Sequence, residues 1–202
     1  MTTTRLGSAL PVRRASDVTQ PNPSHLQSRT GALGGLVLLL ALPVTVAFDL
    51  VFPGRAEIVI HLLLATGTLL IALSVVDFAT ARWLTWSALG AACVLAAIFF
   101  AQGLAALTQN DTLRKVAYSQ EIGGWGEAIA VSIVMVWFIA VARAHGRGAT
   151  MIAGVLAAAT VIVLSVWGIF AAPVGGTPAE LRLLFLVPIA WFVFVSTRRS
   201  NA

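Results

Sequence analysis

Residues 57–78 read EIVIHLLLATGTLLIALSVVDF, an apolar run with its carboxylates near the two ends and one histidine inside. A helix rises about 1.5 Å per residue, so such a run matches a hydrocarbon layer roughly 30 Å thick, which takes about 20 apolar residues to cross. Hydrocarbon offers no water to pair with the backbone, so the segment must satisfy its own N–H and C=O groups as a helix. Runs of the same character cover about 32–52, 83–107, 125–142, 149–172 and 181–197. The sequence therefore predicts an all-α fold, a polytopic transmembrane helical bundle of about six spans. A β-barrel is set aside: its segments alternate in polarity over about 10 residues, whereas these runs are about twice as long and rich in Leu and Ala.

Composition agrees. The 202-residue chain is 58% hydrophobic and only 10% charged, with a mean hydropathy of +0.91, which lies outside the range of a water-soluble domain. A net charge of +5 would fit a nucleic-acid partner, but the basic residues stand singly or in pairs between apolar runs. No nucleic-acid partner is expected. The partner is the lipid bilayer, with a homo-oligomer or another membrane subunit left open. The single cysteine, Cys93, allows neither an intrachain disulfide nor a CxxC motif.

Residues 1–29 are polar and rich in Ser, Thr, Pro and Arg, and are read as a disordered cytoplasmic tail. Residues 30–197 form the six-span domain, and 198–202 a second cytoplasmic tail. The run 32–52 exceeds a secretory signal core of about 7–15 residues, so it is read as a retained first span. Spans two and three make a tight helix hairpin around Arg82. The longest polar connection, residues 108–124, reads TQNDTLRKVAYSQEIGG. It predicts a short interfacial helix at 111–121, broken by Gly123 and Gly124.

Arginine and lysine near span ends set orientation. With the amino terminus inside, Arg5, Arg13, Arg14, Arg29, Arg82, Arg143, Arg147, Arg198 and Arg199 are cytoplasmic. Arg55, Arg114, Lys115 and Arg182 are outside. This bias places both termini in the cytoplasm of a bacterial-type inner membrane. Trp83, Trp86, Trp125, Trp167 and Trp191 fall near span ends, where an amphipathic ring suits the headgroup region. The carboxylates are skewed as well: Asp49, Glu57, Asp111, Glu121, Glu127 and Glu180 fall outside, against Asp17 and Asp77 inside. Insertion does not demand this skew, so the outer face is the better place to look for function.

Glu57 and His61 are four residues apart and share a helix face one turn below the outer surface. An imidazole beside a carboxylate in a membrane can relay a proton, join a ligand pair or sense pH. The plainer reading is a hydrogen-bonded pair that fixes the hairpin. Ala65, Thr68 and Ala72 continue the face as a small-residue stripe, and Asp49 and Arg55 flank the adjoining turn. The second candidate group lies on the outer connection. It holds Gln102, whose amide needs a partner within the third span, with Gln109, Asn110, Asp111, Tyr118, Gln120, Glu121, Trp125 and Glu127, and reads either as a lid or binding platform over the bundle or as an interfacial linker. For Glu127, just after GGWG, a helix-dipole role is favoured over a functional one.

E-x-x-x-H supplies only two metal ligands, and neither His25 nor His145 lies at the depth of His61, so no cofactor is predicted. No phosphate loop, G-x-S-x-G or H-E-x-x-H is present, which points away from familiar enzymes. The favoured reading is a non-enzymatic multi-pass protein that handles a small solute or lipid, or assists a membrane partner, through an outward-facing polar site. The alternative is a membrane-embedded enzyme or redox subunit using His61 with a metal or haem. Orientation has a direct check: green fluorescent protein fused after Ala202 should fluoresce, and alkaline phosphatase there should be inactive. The reverse pattern contradicts the inside carboxyl terminus.

Overall fold

The computed structural model describes residues 23–53, 55–78, 80–171 and 183–200. Among them all regular structure is helical: α1 Pro23–Val51, α2 Ala56–Ser74, α3 Arg82–Thr108, α4 Asp111–Ala117, α5 Glu127–His145, α6 Ala149–Ala171 and α7 Leu186–Ser200. A 3₁₀ turn, Val75–Asp77, extends α2, and another, Leu183–Phe185, precedes α7. A π-helical turn, Gln120–Gly126, leads directly into α5.

The chain is thus an all-α helical bundle in which five helices are long and apolar enough to cross a membrane. The last apolar helix, Leu183–Thr197, is shorter. Only 28% of the most apolar window of α2, and 50% of that of α3, is buried within the protein. Leu73, Val94, Phe100, Val163 and Phe170 are each about half exposed or more on the outside of the bundle. A soluble monomer rarely carries so much contiguous apolar surface, whereas hydrocarbon accepts it. The fold is that of a multi-pass membrane protein.

Each long helix packs on its neighbour in sequence: α1 on α2, α2 on α3, α3 on α5, α5 on α6 and α6 on α7. Then α7 returns to pack on α1, closing a ring. Close approach at the α1–α2 seam depends on Gly34, where a Cβ would stand 2.8 Å from the Gly67 carbonyl oxygen. Backbone atoms cannot swing aside, so any side chain there forces the helices apart. Inside the ring, Phe78, Trp137, Phe138 and Phe192 pack edge-on or tilted with centroids 5.0–5.9 Å apart. They tie the end of α2 to α5 and α7, an arrangement that aromatic quadrupoles favour.

Several sequence expectations shift. Helix α1 starts at Pro23, so its first turns reach into the stretch read as a tail. Proline is well suited to the first helical position, and each added residue then gains a bond for little cost. Pro188 lies in the first turn of α7, directly after the Leu183–Phe185 3₁₀ turn, and the helix runs on past it to Ser200. Trp191 is not an interfacial belt residue: it is 9% exposed, and its indole N–H donates to the Thr150 carbonyl oxygen at 2.8 Å. It packs over Gly154, where a Cβ would meet the ring at 2.5 Å. Ala65, Thr68 and Ala72 are buried, so the small-residue stripe of α2 is a packing seam. Arg5, Arg13, Arg14, Asp17, Glu180, Arg182 and the tail to residue 22 lie outside the described residues, as do the side chains of Asp77, Arg198 and Arg199.

Candidate functional site

Four pieces of chain meet at the end of the bundle where α2 begins, α3 ends and α5 begins. The turn between α3 and α4 gathers them. Gln109 takes a left-handed conformation (φ 51°) that stops α3, at a cost of about 1–2 kcal/mol for a residue other than glycine. Asn110 then caps α4, its side-chain oxygen accepting from the Leu113 amide at 3.0 Å. The α4 helix has seven residues, about two turns, and ends at Ala117, short of the 111–121 expected. Gly123 and Gly124 do not break the chain. They lie within the π turn, where the missing Cβ of Gly123 leaves 2.9 Å to the Ala117 carbonyl oxygen. Such turns are rare and often accompany functional positions.

Tyr118, the residue after α4, is the hub. Its hydroxyl donates to the Glu57 carboxylate at 2.7 Å, a charge-assisted bond between residues far apart in sequence. Its ring meets His61 edge-on at 5.9 Å. The phenol lies outside the long helices and is pushed above its ordinary range, first by partial burial and then by the Glu57 hydrogen bond and charge. It therefore remains a proton donor at neutral pH. Arg114 stands 3.8 Å from the second Glu57 oxygen, but this pair is largely exposed and adds little.

The sequence places Glu57 and His61 on one face, and they are adjacent in the structure. Their contact differs from a carboxylate–imidazole pair: His61 Nδ1 bonds the Glu57 backbone carbonyl oxygen at 2.7 Å. A carbonyl can only accept, so Nδ1 carries the proton and Nε2 is left as the basic nitrogen. Gly103 makes room on α3, since a Cβ there would sit 3.3 Å from the His61 Cβ.

Gln102 supplies the other half of the site. It is 4% exposed, and its amide nitrogen donates to the Ala117 carbonyl oxygen at 3.4 Å. The Glu127 carboxyl group lies near the same side chain. The amide partner that the sequence demands for Gln102 is therefore the Ala117 carbonyl, on the 108–124 connection. Glu127 does not act as a free helix cap, because the π turn continues the helix on its amino side. Asp49 and Glu121 lie at the same end on its exposed rim. Among the described residues no three His, Cys, Asp or Glu side chains gather closely enough to hold a metal.

Sequence reasoning found Glu57, His61, Gln102 and Glu127 but did not assign Tyr118 and Arg114 as partners of Glu57. A lone tyrosine in a polar connection was the available signal: it is the only one in the chain. No protein family, curated protein or solved structure matches this chain.

The Glu57–Tyr118 bond predicts an energetic coupling. In a double-mutant cycle of Glu57→Ala and Tyr118→Phe, followed by thermal unfolding in detergent, the pair should couple by about 1 kcal/mol. Strict additivity would show that α4 is not held to α2 this way.

Proposed function

We propose that the protein is a non-enzymatic multi-pass component of a bacterial-type inner membrane, with both termini cytoplasmic, that binds a small cationic or hydrogen-bond-donating solute at its outer face. The observation that carries this reading is Gln102, a buried amide spent on positioning rather than packing. It donates to the Ala117 carbonyl, next in the chain to Tyr118, which joins Glu57 and His61, and Glu127 lies near it. A bundle held by packing alone would be served better by an apolar residue there. Glu57 and Glu127 bring two carboxyl groups to this end of the bundle, and the Arg114 guanidinium stands near Glu57. The oxygen acceptors of these carboxyl groups favour a cationic or hydrogen-bond-donating guest over an anion.

The redox alternative is supported by one detail: a backbone carbonyl holding Nδ1–H is how ligating histidines are oriented. Both readings meet in one experiment on protein purified in detergent, with methylammonium and putrescine as probes. A ligand at a hundredfold its Kd stabilises the folded state by about 2.7 kcal/mol, so binding should raise the unfolding temperature. The proposal expects such a rise with at least one probe, lost in Glu127→Gln and in His61→Ala. No rise with either, or a rise that survives both variants, contradicts it. A visible absorption band or stoichiometric metal lost in His61→Ala favours the redox alternative instead.

A further inference from the structure

At the opposite end of the bundle, a groove of about 530 Å³ runs between the first turn of α3 and the last turns of α5. Its floor on α5 is Val136, Ile139 and Ala140, followed by Arg143. These positions recur at the three- and four-residue spacing of one helical face, so they form a stripe that is apolar along its length and cationic at its end. Trp83 and Leu84 make the facing wall, with Trp83 69% exposed to the surroundings. Among the described residues Arg143 has no carboxylate partner. Arg82, between the lining residues Ala81 and Trp83, and Arg147 are exposed at the same end.

We infer that this groove is a binding site for one anionic phospholipid, with its phosphate on Arg143 and an acyl chain along α5. The occupant follows from the order of chemistry along the groove. From Val136 to Arg143 the helix rises about 10 Å, enough for an acyl chain to lie on apolar side chains while its phosphate meets the guanidinium. Arg143 lies in the last turn of α5, a helix of 19 residues whose length of about 28 Å spans the hydrocarbon layer, which puts the guanidinium at headgroup depth. A planar guanidinium pairs with two phosphate oxygens at once, and an indole suits the same depth. A free phosphate would leave the apolar floor uncovered. The site is separate from the polar group at the α2 end and does not depend on what that group binds.

Native mass spectrometry of the full chain in detergent tests this, with phosphatidylglycerol, phosphatidylcholine and inorganic phosphate as probes. One cation near a lipid headgroup contributes about 1 kcal/mol, so phosphatidylglycerol should bind about fivefold tighter than phosphatidylcholine. Arg143→Gln should erase that preference, Arg143→Lys should keep it, and Arg55→Gln at the other end should leave it unchanged. Ala140→Trp, which fills the floor, should weaken both lipids. Equal binding of the two lipids to the unaltered protein overturns the inference. So does a preference that survives Arg143→Gln, or displacement of phosphatidylglycerol by equimolar inorganic phosphate.

Discussion

A backbone passing through hydrocarbon has to pair every N–H and C=O within itself, and this constraint governs the whole chain. It makes each crossing a helix, turns large apolar side chains outward and drives ionisable groups to the helix ends. The ring from α1 through α7 follows, since helices that cannot gain from burying Leu away from lipid must associate by close fit. Gly34 against the α2 backbone, Gly35 against Val193 and Gly154 under Trp191 are places where that fit is close. The aromatic group of Phe78, Trp137, Phe138 and Phe192 then fills the ring toward the end opposite the polar site.

The same constraint explains why the polar residues at the α2 end form a connected group. Gln102 stands inside the bundle and would be costly unpaired. The Gln109 reversal, the short α4 and the π turn bring it both a backbone carbonyl and the Glu127 carboxylate. Tyr118 then joins this inner half to Glu57 and His61. A structural feature that relieves one buried amide thereby assembles donors, acceptors and negative charge in one place.

The spans were legible because length and hydropathy are one-dimensional properties that lipid reads directly. Glu57, His61, Gln102 and Glu127 were legible for a related reason: polar residues inside apolar runs stand out. Their partners were not, since helix rotation and the path of the 108–124 connection are fixed by contacts between distant residues. Nothing local marks Tyr118 as the partner of a carboxylate near the start of α2. Trp191 illustrates the limit from the other direction: nearness to a span end suggested the headgroup region, but Gly154 offers a cleft that takes the indole inside. Glu127 resembled a cap because the sequence gives no sign that Gln120–Gly126 continues as helix.

Closure of the ring is the central structural claim, and the seam between the first and last helices tests it most directly. A Cβ at Gly35 would lie 3.7 Å from the Val193 Cβ, close to the separation of about 3.8 Å found in disulfides. In a Cys93→Ala background, Gly35→Cys with Val193→Cys should form an intramolecular disulfide on mild oxidation. Cyanogen bromide cleavage at Met135 and Met151 should then leave the two terminal fragments joined until reductant is added. Fragments that separate without reductant, under conditions where both thiols are present and the protein is folded, would contradict the closed ring.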